Sequence, residues 1–343
     1  MNSSKFLKAL DLQSNTIPPV WFMRQAGRYL PEYQEIRKNY TNFLDMCKQP
    51  KTCAELALQP IDRYGLDASI LFSDILTIPD AFNLGLAFHE GEGPKFSNPI
   101  SSAEDINHLD AFDVNALNYV FKAVEETKKL LPKDLPLIGF CGSPWTLAAY
   151  SIEGGGSKDF YKTKSFMKHH PAELQKFLEI LSNACYEYLR QQVLSGVNAI
   201  QIFDSWADLL SESDLEIYSL QYTRMLTQLL KADPVTTNIP IILFEKAPKN
   251  EVVDLVFDDL ACMSLHWQEN IEEISFKLKS KYAIQGNLDP RILLESDDLI
   301  WSETQKICKV MCEYPGFIFN LGHGITPDIK PEKVKVMIDA IRA

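Results

Sequence analysis

The feature that most constrains this chain is a repeat of short apolar runs, each closed by a polar or glycine residue and separated by helix-patterned segments. The runs are Pro18–Met23, Ala68–Ser73, Leu135–Cys141, Ala199–Phe203, Pro240–Phe244, Cys262–Leu265, Tyr282–Ile284 and Gly316–Asn320. Between them, Thr52–Tyr64 and Leu174–Leu194 carry apolar residues at the three- and four-residue spacing of an amphipathic helix. Strand alternating with helix predicts a parallel sheet. Such a repeat in 343 residues fits a closed α/β structure, a single-domain (β/α)8 TIM barrel, better than an open doubly wound sheet. No Gly-x-Gly-x-x-Gly follows the first run, which removes the usual signal for dinucleotide binding. With no long Pro/Ser-rich linker and no low-complexity tract, the expectation is one barrel domain over residues 1–343 with a short N-terminal extension.

Charge narrows the partners. Lys and Arg number 34 against 46 Asp and Glu, a net charge of -12, the wrong sign for nucleic acid or an anionic membrane surface. An anionic ligand must therefore meet a local cluster of cations. Met1–Gln13 has no apolar core of signal-peptide length, and no run elsewhere approaches a membrane span, so a soluble cytoplasmic protein is expected. The 7 cysteines are scattered, without Cys-x-x-Cys or His-x-Cys spacing, which argues against a disulfide framework and a zinc site; no metal is expected. Cys308 and Cys312 fall on one face of a predicted helix and read as small buried hydrophobes.

In a barrel of this kind chemistry gathers at the C-terminal ends of the strands. The residues there are Arg24, Asp74, Gly142-Ser143, Asp204-Ser205, Glu245, His266, Asn287 and His323. If the stretch after the first run is helical, Arg24 and Arg28 lie about 40° apart on one face. Like charges held together ask for an anion, and the guanidinium fork suits carboxylates or phosphates; pairing with Glu32, Glu35 or a distant acid is the structural alternative. Asp74 ends an apolar run and is followed by apolar residues, so its carboxylate needs donors, from a helix start it caps or from a ligand. His323 sits between glycines that leave room for close approach. Tyr150 precedes the glycine-rich Gly154-Gly155-Gly156, a loop free to move or a plain helix end at Gly154. On spacing alone, Phe203-Asp204-Ser205-Trp206 reads as core aromatics flanking a cap.

Two long motifs, Met23-Arg24-Gln25-Ala26-Gly27-Arg28-Tyr29-Leu30-Pro31-Glu32 and Phe72-Ser73-Asp74-Ile75-Leu76, resemble the uroporphyrinogen decarboxylase family. In family order follow Gly91-Glu92-Gly93-Pro94, Ser143-Pro144-Trp145-Thr146-Leu147 through Glu153-Gly154-Gly155-Gly156-Ser157, Phe203-Asp204-Ser205-Trp206, Gln285-Gly286-Asn287-Leu288-Asp289-Pro290 and Asn320-Leu321-Gly322-His323-Gly324. The resemblance implies a homodimeric barrel that converts uroporphyrinogen III to coproporphyrinogen III with release of CO₂ from each acetate, without metal or organic cofactor. It implies substrate binding by Arg24, Gln25, Ala26, Gly27 and Arg28, with Asp74, Tyr150, Ser205 and His323 completing the site and Arg37 and Phe203 nearby. Asp74, Tyr150 and His323 are the expected catalytic groups. The chain departs from the family pattern at Ala207-Asp208, at Lys246-Ala247-Pro248-Lys249-Asn250, and at His266-Trp267 where the family usually has Asp-Trp. These changes fall in the loops around 205–210 and 245–268, and His266 adds a titrating group near the mouth.

Two other functions compete. A zinc-dependent corrinoid or thiol methyltransferase of the same barrel type needs His-x-Cys and a later Cys at strand ends, and none of the 6 histidines is followed by Cys two residues on. A non-catalytic tetrapyrrole carrier would bind the macrocycle and release no CO₂.

Overall fold

The structure is a computed structural model and describes residues 4–89, 93–246, 257–278 and 281–343. Its strands are β1 (Ser69–Ile70), β2 (Leu86–His89), β3 (Gly93–Phe96), β4 (Leu137–Gly142), β5 (Ala199–Asp204), β6 (Ile241–Glu245), β7 (Cys262–Ser264), β8 (Ala283–Leu288) and β9 (Phe317–Leu321). A parallel sheet runs β1-β4-β5-β6-β7-β8-β9, and β2 and β3 form a separate antiparallel hairpin.

The segment around Val20 is the eighth stave. On one side Phe319 N–H donates to Pro19 C=O at 2.9 Å and Trp21 N–H to Phe319 C=O at 3.4 Å; on the other Asp67 N–H donates to Val20 C=O at 2.9 Å, just before β1. The ring is thus joined end to end, and the predicted barrel is the observed fold. Each expected run contributes a stave, but β1 is paired over two residues only, because the chain turns out of the sheet after Leu71 and frees Ser73 and Asp74 for the mouth. The predicted helices appear as Pro50–Tyr64 and Pro171–Ser195, each opened by Pro at the first turn, where its missing N–H costs nothing, and closed by a left-handed glycine, Gly65 and Gly196.

Alternation along the strands divides the core. Ile138, Ala199, Ile242, Cys262, Ala283 and Ile318 face the lumen, where Phe6, Ala9 and Leu10 of the helix Lys5–Leu10 plug the N-terminal end. Above this plug lies a polar layer. Trp21 Nε1 donates to Gln285 Oε1 at 2.8 Å, and Gln285 Nε2 donates to Ser264 Oγ at 2.8 Å and Gln201 Oε1 at 3.2 Å. The opposite strand faces, with Ile200, Ile202, Leu243 and Ile284, join the larger core under the helices.

Two expectations need correction. The Arg24–Arg28 stretch is a series of turns, not a helix: Arg24 has φ 63°, and the helix starts only at Pro31. Cys308 and Cys312 do not form a buried pair, since the helix Asp297–Val310 ends before Cys312, which is exposed, while Cys308 is half-buried.

Candidate active site

The mouth of the barrel is floored by aromatic side chains. Phe203 and Phe244 are register partners on β5 and β6, and Gly142 of β4 pairs with Phe203 on its other side. Ring centroids are 5.8 Å apart for Phe140–Phe203 and 6.2 Å for Phe203–Phe244. Phe244 then meets His266 at 6.5 Å and His323 at 6.4 Å, and the two imidazoles lie edge to face at 6.1 Å. Such a floor offers apolar area to a flat ligand and no competing charge. Phe140 and Phe244 are not among the polar strand-end residues singled out from the sequence; an inward phenylalanine near the ends of three successive strands, β4, β5 and β6, was the available signal.

Asp74 rises at one side of this floor. Its Oδ1 accepts the Leu76 N–H at 2.8 Å, and Thr77 Oγ1 donates to its backbone carbonyl at 3.0 Å. This is a turn closed by the carboxylate on itself, not a helix cap, for the following helix Thr77–Asp80 takes no side-chain cap. Asp74 as a whole residue is half-buried. Burial raises its pKa, opposed by the Leu76 amide and by the charge of Arg24.

Arg24 and Arg28 are exposed on the turns before Pro31. The acids expected to pair with them are taken: Glu32 holds Arg63 at 2.7 Å and Glu35 holds Lys38 at 2.6 Å. Among the described residues no acid forms an ion pair with Arg24, Arg28 or Arg37. Arg37 instead donates to Tyr40 C=O at 2.6 Å, and the charges of Arg37 and Arg28 are both felt at Tyr33. The side chain of Gln25 is spent inside the protein, accepting Phe22 N–H at 3.3 Å and donating to Ala68 C=O at 3.3 Å. Ala26 and Gly27 are half-buried, and a Cβ on Gly27 would lie 3.0 Å from Arg24 C=O, a tight contact that a side chain there would have to relieve by a small backbone shift.

Tyr150 stands in the last turn of the helix Pro144–Glu153, its ring 5.9 Å from Trp206 and 6.0 Å from Phe160. Burial raises its pKa, and the charges of Asp74 and Arg24 both reach it. The glycine loop beyond is anchored, with Gly154 a left-handed cap whose carbonyl accepts Phe96 N–H at 3.0 Å and Gly155 bridged to Lys95. Ser205 is half-buried, its N–H held by Thr146 Oγ1 at 3.0 Å.

His323 follows β9. Burial first, then Arg24, lowers its pKa to about 4, and burial and Lys246 do the same for His266. Both rings are neutral at neutral pH. The room left by the glycines around His323 is taken by the protein: Trp267 backbone occupies the place of a Gly322 side chain, and the Arg24 stem that of Gly324. The divergent loops contact each other, with Lys246 Nζ 2.7 Å from Asp208 and 5.5 Å over the Trp206 ring. The remainder of the altered stretch, from 247 to 250, and Gly91-Glu92 lie outside the described residues. Arg291, clamped to Asp289 and stacked 4.1 Å from the Trp267 ring, borders a cavity of about 180 Å³ beside His323 and was not anticipated.

The arrangement provides the Asp74 carboxylate, the Tyr150 phenol and the neutral His323 imidazole, all within reach of the Arg24 charge, which forms no ion pair among the described residues. Among the described residues, no cluster of three His, Cys, Asp or Glu side chains could hold a metal ion.

Comparison with known proteins adds lineage to this geometry. The family model for uroporphyrinogen decarboxylase matches residues 1–343. Uroporphyrinogen decarboxylase of Ruthia magnifica subsp. Calyptogena magnifica is 44% identical over 337 residues, covering 98% of this chain and 97% of the relative. That of Legionella pneumophila subsp. pneumophila strain Philadelphia 1 is 43% identical over 342 residues, covering 99% and 97%. Among solved structures, a methyltransferase from Methanosarcina mazei superposes with a TM-score of 0.80 over 98% of this chain and 97% of that one, at 19% identity, a likeness of fold alone.

Proposed function

This chain belongs to the uroporphyrinogen decarboxylase family of carboxy-lyases in porphyrin biosynthesis, and from that premise we propose that its barrel mouth converts uroporphyrinogen III to coproporphyrinogen III without metal or organic cofactor. The observation that carries the site assignment is the meeting of Asp74, Tyr150 and His323 in the field of Arg24.

Loss of CO₂ from an acetate leaves a pair of electrons on the methylene. The substrate can receive them: protonating the pyrrole carbon next to the acetate-bearing position makes a cationic ring conjugated with that methylene. Decarboxylation neutralises the ring by leaving an exocyclic methylene; protonation of that methylene carbon gives the methyl group and a second cationic ring, which returns the first proton from the pyrrole carbon, so that one proton is consumed for each CO₂ released. The enzyme must therefore favour the cationic ring. Asp74 does so by accepting the pyrrole N–H groups, in hydrogen bonds that strengthen as positive charge develops. Arg24, Arg28 and Arg37 hold acetates and propionates, with the Gln25–Gly27 backbone shaping the segment that presents them. Phe203 and its aromatic neighbours support the face of the macrocycle, and Ser205 contributes a hydroxyl at the rim. Tyr150, kept protonated by burial, is the better proton donor; neutral His323 serves as a hydrogen-bond partner.

The reading extends to one domain over residues 1–343 with a short N-terminal extension, working as a cytoplasmic homodimer without nucleic-acid or membrane partners. Two facts agree with it: the net charge is -12, and no described helix is long and apolar enough to cross a membrane. Anaerobic incubation of the purified protein with uroporphyrinogen III, followed by chromatography, tests the function. Successive partially decarboxylated products ending in coproporphyrinogen are expected. Binding without CO₂ release would leave only a tetrapyrrole carrier.

A further inference from the structure

One buried carboxylate joins the loop after β5 to the helix that carries Tyr150. Asp204, the last residue of β5, is fully buried, and alternation along the strand turns its side chain toward the helix layer, away from the lumen. Thr146 Oγ1 donates to Asp204 Oδ1 at 2.7 Å, and Ser219 Oγ donates to Oδ2. The Ser143 hydroxyl and the Trp206 N–H also hydrogen-bond this carboxylate. Thr146 Oγ1, having given its proton to Asp204, accepts the Ser205 N–H at 3.0 Å. Two ties flank this bridge, from Ser143 N–H to Phe203 C=O at 2.9 Å and from Trp145 Nε1 to Trp206 C=O at 2.8 Å.

The direction of each bond matters. A threonine hydroxyl has one proton; with Asp204 accepting it, the oxygen lone pairs are turned to the Ser205 amide. Thr146 also lies four residues before Tyr150, one helical turn away on the same face, and the Tyr150 ring packs on Trp206, two residues past Asp204. A shift at Thr146 would move Ser205 and Tyr150 relative to each other.

The charge is also confined. Glu245 is the register partner of Asp204 on β6; it is 2% exposed, and among the described residues neither of its carboxylate oxygens has a hydrogen-bond partner. Adjacent buried carboxyls do not both ionise readily, and the donors all converge on Asp204. The negative charge therefore sits on Asp204.

Resting on the assignment of Tyr150 and Ser205 to the substrate site, we infer that Asp204 is a positioning residue for the decarboxylation, acting through the Thr146 hydroxyl. The test compares Thr146→Val, which removes the hydroxyl at nearly constant volume, with Thr146→Ser, which keeps it, and with Asp204→Asn. Folded fraction, kcat and KM are measured for each under anaerobic conditions. Expected is a folded Thr146→Val enzyme with kcat lowered about fivefold or more and KM little changed, because small misplacement of groups at the reacting centre is felt in turnover. Thr146→Ser should restore kcat, and Asp204→Asn should resemble Thr146→Val. Normal kcat in folded Thr146→Val, or equal loss in Thr146→Ser, overturns the inference, and the Thr146 pair decides even if Asp204→Asn does not fold. Tyr150→Phe and Ser205→Ala run in parallel. Full turnover in both would remove the site assignment; loss there with normal Thr146→Val would remove only the positioning role.

Discussion

The side-chain stem of Arg24 lies where Gly324 would carry a Cβ: that carbon would fall 2.5 Å from Arg24 Cδ and 2.8 Å from Nε. A residue just past the Val20 stave is thus shaped by one just past β9, across the seam where those two staves meet. Gly324→Ala should fold, because the obstructing atoms belong to a flexible side chain, but it should displace the guanidinium. Steady-state kinetics should show kcat/KM lowered on the order of tenfold; an unchanged value would mean that the position of Arg24 is immaterial.

Arg28 is exposed and has no acid partner among the described residues, so its charge is available to a ligand carboxylate. Arg28→Ala should weaken substrate binding most at low ionic strength, with the gap to wild type closing as salt screens the interaction. Affinity titrated at two salt concentrations checks this, and equal affinities at low salt would exclude Arg28 from binding.

Glu245 stores a proton in the fold. Burial, with Asp204 beside it, pushes its carboxyl well above the ordinary value of 4.5, so the native state keeps a proton that the unfolded chain releases. The sign follows: its contribution is complete below the unfolded carboxyl range and is lost as pH rises from there toward the folded value. Glu245→Gln, which stays neutral, should lose less thermal stability than wild type between pH 5 and pH 8. Asp204, shifted in the same direction, leaves part of the pH dependence in place. Parallel melting curves for the two proteins would show that Glu245 is ionised in the fold.

His266 and His323 have pKa values lowered from 6.5 to about 4. Depressed histidine values add stability above the unfolded pKa, and that share is lost as pH falls from about 6.5 toward the folded values. Imidazole proton signals of both residues should stay constant in NMR spectra from pH 8 to pH 5.5. Titration of either near 6.5 would show a solvated ring and reopen His323 as a cationic acid.

The barrel was legible because strand-period apolar runs recur with helix-period segments between them, and the active-site candidates because each run ends in a residue that has to be polar for some reason. The helix expected through Arg24 and Arg28 was not there, and the sequence held the reason: Pro31 disfavours helical geometry at Leu30 and suits the first position of the helix that begins at Pro31. The short pairing of β1 was hidden, since Leu71-Phe72 is as apolar as the strand before it and only the turn at Asp74 takes it out of the sheet. The contrast between Asp204 and Glu245 was hidden too. Both end strands and are register partners, yet donors from Ser143, Thr146, Trp206 and Ser219 reach only the first, which depends on helices packed from distant parts of the chain.

The central claim is that the Asp74 carboxylate stabilises the positive charge that develops on the pyrrole ring. Asp74→Asn keeps the size of the side chain and an oxygen for the Leu76 N–H while removing the charge. Anaerobic single-turnover measurement with saturating uroporphyrinogen III should show a folded variant that still binds substrate and loses about 10²–10³ in rate. Turnover close to wild type in that folded variant would contradict the account.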